Sequence, residues 1–142
     1  MLIVDTNVLS ELMRPAPAPS VAQWFERQPL DRLAITAVTV GEILYGLDRL
    51  PDGRRKADLT ARFVSAVRRA FSARVLAFDE AAAAACARIR GDRDRAGRPI
   101  GVNDAMIAGI ARSRGGTVAT RNLVDFEQCG IAILDPWTAP GS

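Results

Sequence analysis

Four carboxylates in this chain draw notice through the residues around them. Asp5 ends the apolar run Leu2-Ile3-Val4 and is followed at once by Thr6 and Asn7. Glu42 sits in the weakly charged stretch Ile35-Thr36-Ala37-Val38-Thr39-Val40-Gly41-Glu42-Ile43. Asp104 stands ahead of Ile107, Ala108 and Ala111, and Asp125 follows the run Thr117-Val118-Ala119-Thr120-Arg121-Asn122. Acids at the carboxyl ends of parallel strands gather at the edge where open α/β sheets bind ligands. Two bare carboxylates about 4 Å apart repel by roughly 4 kcal/mol at an effective dielectric of 20. A convergence of four therefore implies a cation. A hard ion such as Mg²⁺ suits oxygen ligands, binding through one or two carboxylates and several waters. Placed there, it would polarise a phosphoryl oxygen and supply an activated water, which is phosphate chemistry.

Those residues need elements to position them, and the chain supplies an alternation of apolar runs and helical patterns. Strands are expected at Leu2–Val4, Leu33–Thr36, Arg74–Phe78, Thr117–Ala119 and Ile131–Leu134. A short helix over Val8–Met13 is stopped by Pro15, Pro17 and Pro19, and Ser20 is expected to cap the next, with Val21, Trp24 and Phe25 on one face. Further helices are expected from Thr39 to Leu50, Ala57 to Phe71, Asp79 to Arg90, and from Asn103 to Gly115. Gly91 to Pro99 reads as a helix end and loop, and the tail as loose beyond Trp137. The result is one α/β domain over residues 1–142, a central parallel five-stranded sheet flanked by helices.

Composition narrows the chemistry. The 142 residues contain no histidine, which excludes histidine-ligated zinc, Ser-His-Asp and Cys-His catalysis, and a histidine general base. Cys86 and Cys129 have no metal-ligand spacing, and Cys86, within an alanine run, reads as a small core residue. A disulfide framework is not expected, which favours a reducing compartment. A strand beginning at Leu2 leaves no room for a signal peptide, and no apolar run approaches the roughly 20 residues of a membrane span. A cytoplasmic protein without a membrane partner is expected. The net charge of +3, nearly all from arginine, permits an acidic or nucleic-acid partner without requiring one.

Each acid also has an ordinary explanation. Asp5 could cap the helix after its strand, and Thr39-Val40-Gly41-Glu42 matches a capping box. Asp125 alone would be a turn former. Asp104 resists this treatment, because a carboxylate aligned with Ile107, Ala108 and Ala111 on one helix face points inward.

Four segments in order resemble the PIN-domain ribonucleases. They are Ile3 to Glu11, Ile35 to Ile43 with Gly46 after it, Pro99 to Ala108, and Val118 to Phe126. Within that family the likeness is to the toxin half of bacterial VapBC-type toxin–antitoxin pairs, in the FitB-like branch. The resemblance implies a PIN-like three-layer sandwich and a Mg²⁺- or Mn²⁺-dependent endoribonuclease acting through metal-bound hydroxide. By position, Asp5, Glu42 and Asp104 form the acidic core, with Asp5 and Asp104 as direct metal ligands. Some relatives carry an acid where this chain has Asn122, which offers a carbonyl oxygen but no charge, so the fourth role is assigned to Asp125. Thr6 and Thr120 could hold metal-bound waters. The family also implies a homodimer, an RNA substrate and a small antitoxin that inserts a segment beside the acids.

Arg54, Arg55 and Lys56, the cluster Arg88, Arg90, Arg93, Arg95 and Arg98, and Arg121 are candidate RNA-binding cations; a solvated helix face is their bland alternative. Two rival functions stand beside the nuclease. A haloacid-dehalogenase-like phosphatase would use Asp5 as nucleophile, but it needs an acid where Asn7 stands and a late lysine, and the sole lysine is Lys56. A catalytically weak PIN-like module that only binds RNA or a partner would have little use for clustered unpaired charge.

Overall fold

The computed structural model describes residues 1–72 and 74–139. Five strands form one parallel sheet: β1 (Leu2–Val4), β2 (Leu33–Thr36), β3 (Val75–Leu76), β4 (Thr117–Ala119) and β5 (Ala132–Leu134), in the order β3-β2-β1-β4-β5. Seven helices flank them: α1 (Thr6–Leu12), α2 (Pro19–Glu26), α3 (Ala37–Asp48), α4 (Arg54–Ala70), α5 (Glu80–Arg95), α6 (Val102–Arg114) and α7 (Leu123–Phe126). A 3-10 turn at Leu30–Arg32 leads into β2.

Side chains alternate across a strand, and β1 divides the core accordingly. Leu2 and Val4 face one cluster with Val8, Val21, Trp24, Ile43, Phe63 and Phe71, from α1 to α4 and its end. Ile3 faces the other, with Ile89, Ile107, Ala108, Phe126 and Cys129 from α5 to β5. This is the expected three-layer arrangement. Leu59, Phe63, Val67 and Phe71 form one stripe along α4 and its end that packs into the larger cluster, with Phe63 and Phe71 fully buried. Cys86 and Cys129 are both buried and free.

The alanine run of α5 exists to let α6 approach. A Cβ added at Gly109 would lie 2.5 Å from the Ala82 carbonyl oxygen and 2.9 Å from the Cys86 Cβ. Only a glycine there permits that helix–helix distance. Gly115 ends α6 at φ +65°, a left-handed conformation that glycine adopts without strain.

Several boundaries differ from expectation. Helix α2 begins with Pro19 at its first position and Ala18 before it, so Ser20 is not the cap. Proline is preorganised for that place and has no amide hydrogen to leave unsatisfied. Helix α3 starts two residues early because Thr36, not Thr39, is the cap; its hydroxyl accepts from the Thr39 N–H at 3.0 Å. Helix α6 likewise starts at Val102. Helix α5 continues past Arg90 to Arg95, so that the helix end and loop read at Gly91 to Pro99 divide after Arg95. Asp125 belongs to the four-residue α7 rather than to a loop. Beyond Trp137, Ala139 still packs on the larger cluster, and residues 140–142 lie outside the described residues.

Candidate active site

The strand order reverses direction between β1 and β4, and that is where a doubly wound sheet opens a crevice. Asp5 leaves β1 and Thr120 leaves β4 side by side: the Thr120 hydroxyl donates to Asp5 Oδ2 at 2.7 Å. Asp5 is 3% exposed. It caps α1, its Oδ1 accepting from the Thr6 N–H at 2.8 Å. The Asn7 amide donates at 3.2 Å to both Asp5 Oδ2 and Thr120 Oγ1, while its Oδ1 accepts the Arg121 N–H. Thr120 Oγ1 also accepts the Asn122 N–H at 3.0 Å. The cap that explains Asp5 locally thus forms part of a longer-range polar frame.

Glu42 joins from α3. With Thr36 as the cap, Glu42 lies a turn further into the helix, which removes the capping-box explanation. Its Oε1 accepts the Thr6 hydroxyl at 2.7 Å, and its Oε2 faces the Asn103 amide at 3.4 Å. Thr6 Oγ1 also reaches the buried Thr39 hydroxyl at 3.2 Å. Asp104, in the first turn of α6, is partly buried, and Asp125 on α7 is exposed. Among the described residues, neither carboxylate accepts a hydrogen bond, and none of the four acids forms an ion pair.

Two of the acids, Asp5 and Asp104, feel the charges of the others. Burial pushes the Asp104 carboxyl up to about 6, helped by the negative charges of Asp5, Asp125 and Glu42. Burial also raises Asp5, with Glu42 and Asp125 adding to the effect, while the bonds from Thr120 and Thr6 work against it. Carboxylate oxygens that lack a compensating cation are the type of donor a hard metal ion takes. Among the described residues no group of three or more acids or cysteines is placed to hold a metal ion together.

The sequence-predicted cations separate. Arg54 and Arg55 line a groove of about 750 Å³ that includes Thr6 and Glu42. Lys56 is instead held by Asp48 and Asp52 at 3.7 and 3.2 Å. Arg93 is a correction: it is 4% exposed and cannot belong to a basic surface. Its guanidinium donates to the carbonyls of Arg98, Asp125 and Glu127 at 2.6, 3.0 and 2.9 Å, tying α7 to the loop before α6. Asn122 contributes only its backbone N–H to this frame. Asn7, Thr39 and Asn103 are additions to the site: the sequence offers Thr39 only as a helix cap and Asn103 only as a helix start, while Asn7 stands beside Asp5 at the strand end.

The crevice thus combines carboxylates at the switch point of a parallel sheet with hydroxyls and amides that orient them, in a chain without histidine. Comparison with known proteins gives the family. The family model described as PIN domain matches residues 2–129. The chain is 36% identical over 137 residues to the VapC ribonuclease Y4jK of Sinorhizobium fredii, covering 96% of this chain and 98% of that protein. It is also 36% identical over 137 residues to the toxin FitB of Neisseria gonorrhoeae, covering 96% and 99%. The solved structure of FitAB bound to an IR36 DNA fragment superposes with a TM-score of 0.92 at 35% identity, covering 99% of this chain and 98% of that one. The chain belongs to the PIN-domain family, within its VapC- and FitB-type toxins.

Proposed function

We propose that the protein is a Mg²⁺- or Mn²⁺-dependent endoribonuclease, the toxin of a toxin–antitoxin pair, working in the cytoplasm as a homodimer. The observation that carries this reading is the gathering of acids around the Asp5–Thr120–Asn7 frame at the β1–β4 crevice, where among the described residues none of Asp5, Glu42, Asp104 and Asp125 forms an ion pair. PIN-domain ribonucleases generally use a divalent metal. Asp5 and Asp104 would hold it here, and when bound it polarises the phosphodiester and activates a water. Asp5 is fixed in orientation by Thr120, Thr6 and Asn7, so its oxygens need no rearrangement to coordinate. The proton from the attacking water passes to Glu42, Asp125 or solvent, because no histidine is available. Thr6 orients Glu42 through its hydroxyl.

The groove between α1, α3 and α4 supports the antitoxin as partner. Its apolar lining includes Met13, Ile43, Leu47 and Leu59, and Arg14, Arg54, Arg55 and Arg62 also line it. Arg54 and Arg55 lie in the first turn of α4, where cations oppose the helix dipole. Helix stability therefore does not account for them. An amphipathic segment carrying acids and apolar side chains fits such a groove and would cover Glu42. The named relatives VapC ribonuclease Y4jK and FitAB are consistent with both halves of this reading.

The test uses the full chain with single-stranded RNA. Cleavage should require added Mg²⁺ or Mn²⁺, stop with a chelator, and be lost in Asp5→Asn and Asp104→Asn. Metal-independent cleavage, or full activity in either variant, overturns the proposal. Phosphate release from small monoesters would point instead to the phosphatase alternative.

A further inference from the structure

A site lined by four carboxylates repels the polyanion it is meant to cut. Some cation must hold the strand in place, and it must not be captured by the acids first. Arg121 satisfies both conditions. It follows Thr120 directly, and its N–H is bonded to the Asn7 Oδ1 that completes the frame around Asp5. Its side chain is exposed, yet among the described residues it forms no ion pair. Instead its guanidinium lies 4.9 Å from the centroid of the Trp137 ring.

Trp137 is itself well anchored. It is partly buried, packs against the larger core cluster, and donates its N–H to Asp135 Oδ1 at 2.8 Å. It lies just after β5, whose Leu134 carbonyl accepts the Thr120 N–H at 2.9 Å. The indole is thus fixed to the same sheet edge as the acids. An arginine on an indole face keeps its charge and its in-plane N–H donors while losing much of its rotamer freedom. In that position the guanidinium forms no ion pair with any described carboxylate.

We propose that Arg121, stacked on Trp137, is the phosphate-binding arm that holds the single-stranded RNA backbone at a nucleotide flanking the cleaved bond. Trp137 acts as its positioning residue. The proposal rests on the nuclease reading above and names the cation that reading lacks. A planar guanidinium can grip a phosphate through two parallel bonds, which a lysine cannot reproduce. The contact carries affinity and register, not base identity.

The experiment measures binding, so that cleavage does not interfere. In an Asp5→Asn background, the affinity of a fluorescent single-stranded RNA is followed by anisotropy across a salt series with Mg²⁺ present. Adding Arg121→Ala should weaken binding about tenfold and flatten the log K against log salt slope by about 0.7, the value for one phosphate on a single strand. Arg121→Lys should keep the slope and lose part of the affinity. Trp137→Leu should weaken binding with Arg121 intact, and Trp137→Phe, which keeps an aromatic face, should restore most of it. Circular dichroism of each variant separates a lost contact from a lost fold. Unchanged affinity and slope in Arg121→Ala overturn the proposal, even if the parent chain cleaves RNA as expected. If Asp5→Asn does not bind RNA at all while wild-type cleavage is also absent, the nuclease reading falls with it.

Discussion

Asp5 and Asp104 bring the same chemical group to one crevice, but the protein treats them in opposite ways. Asp5 is nearly inaccessible, and both its oxygens are engaged, by the Thr6 N–H, the Asn7 amide and the Thr120 hydroxyl. Asp104 is less buried and accepts no hydrogen bond from any described residue, like Asp125 nearby. A carboxylate with several donors has its orientation set by the fold. A carboxylate without them keeps its charge at a cost that only a proton, solvent or a cation can relieve. The β1–β4 side is therefore preorganised, and the α6–α7 side is where ligand charge has the most to compensate.

If both acids hold the ion, the difference between them disappears in activity. Asp5→Asn and Asp104→Asn should each lower RNA cleavage by more than the roughly 10–100-fold typical of losing an outer partner of a metal site. Initial rates at saturating metal check this. A large loss in only one variant would mean that one acid does the holding alone.

Thr120→Val separates the two sides at the next level. Of the four acids only Asp5 is bonded to that hydroxyl, which also accepts from Asn7 and Asn122. A loss of about 10–100-fold in activity or apparent metal affinity is expected, with Thr120→Ser restoring most of it. An unaffected Thr120→Val enzyme would show that Asp5 is oriented by its backbone contact alone.

The preorganised side was also the legible side. Asp5 sits where the buried apolar triplet of β1 ends and Thr120 where the buried Val118-Ala119 pair of β4 ends, and a strand that stops on a polar residue is visible in one dimension. Asp104 was legible through its alignment with Ile107, Ala108 and Ala111, all of which are buried. The failures have physical causes. Thr36 and Thr39 stand one turn apart, and either could cap α3; the end of β2 decides in favour of Thr36. Helix α7 is too short for any periodicity to show. Helix α5 runs on through a polar stretch that looks like loop, and within it Arg93 is buried by carbonyls from residues 98, 125 and 127. No local pattern announces a partner so far along the chain. The separation of Lys56 from Arg54 and Arg55 has a local origin instead, since the acids Asp48 and Asp52 just before it claim its charge.

The smallest expected effect is the sharpest test of the contrast, because it does not involve catalysis. The Asp104 carboxyl is raised to about 6 from an ordinary value of 3.8. The folded protein then binds a proton there more readily than the unfolded chain. Its contribution to stability is fully present below about pH 3.8 and is lost as pH rises through about 6. In chelator at neutral pH, Asp104→Asn should therefore melt higher than wild type, and its melting temperature should vary less between pH 4 and 6. Adding Mg²⁺ or Mn²⁺ should reverse the order, because an ion that binds only the folded state stabilises the chain that can hold it. Proton and ion compete for the same oxygens, so the metal concentration needed for that reversal should rise as pH falls through about 6. Should Asp104→Asn melt below wild type in chelator, the carboxylate would have a protein partner after all, and the division between the two sides would be wrong.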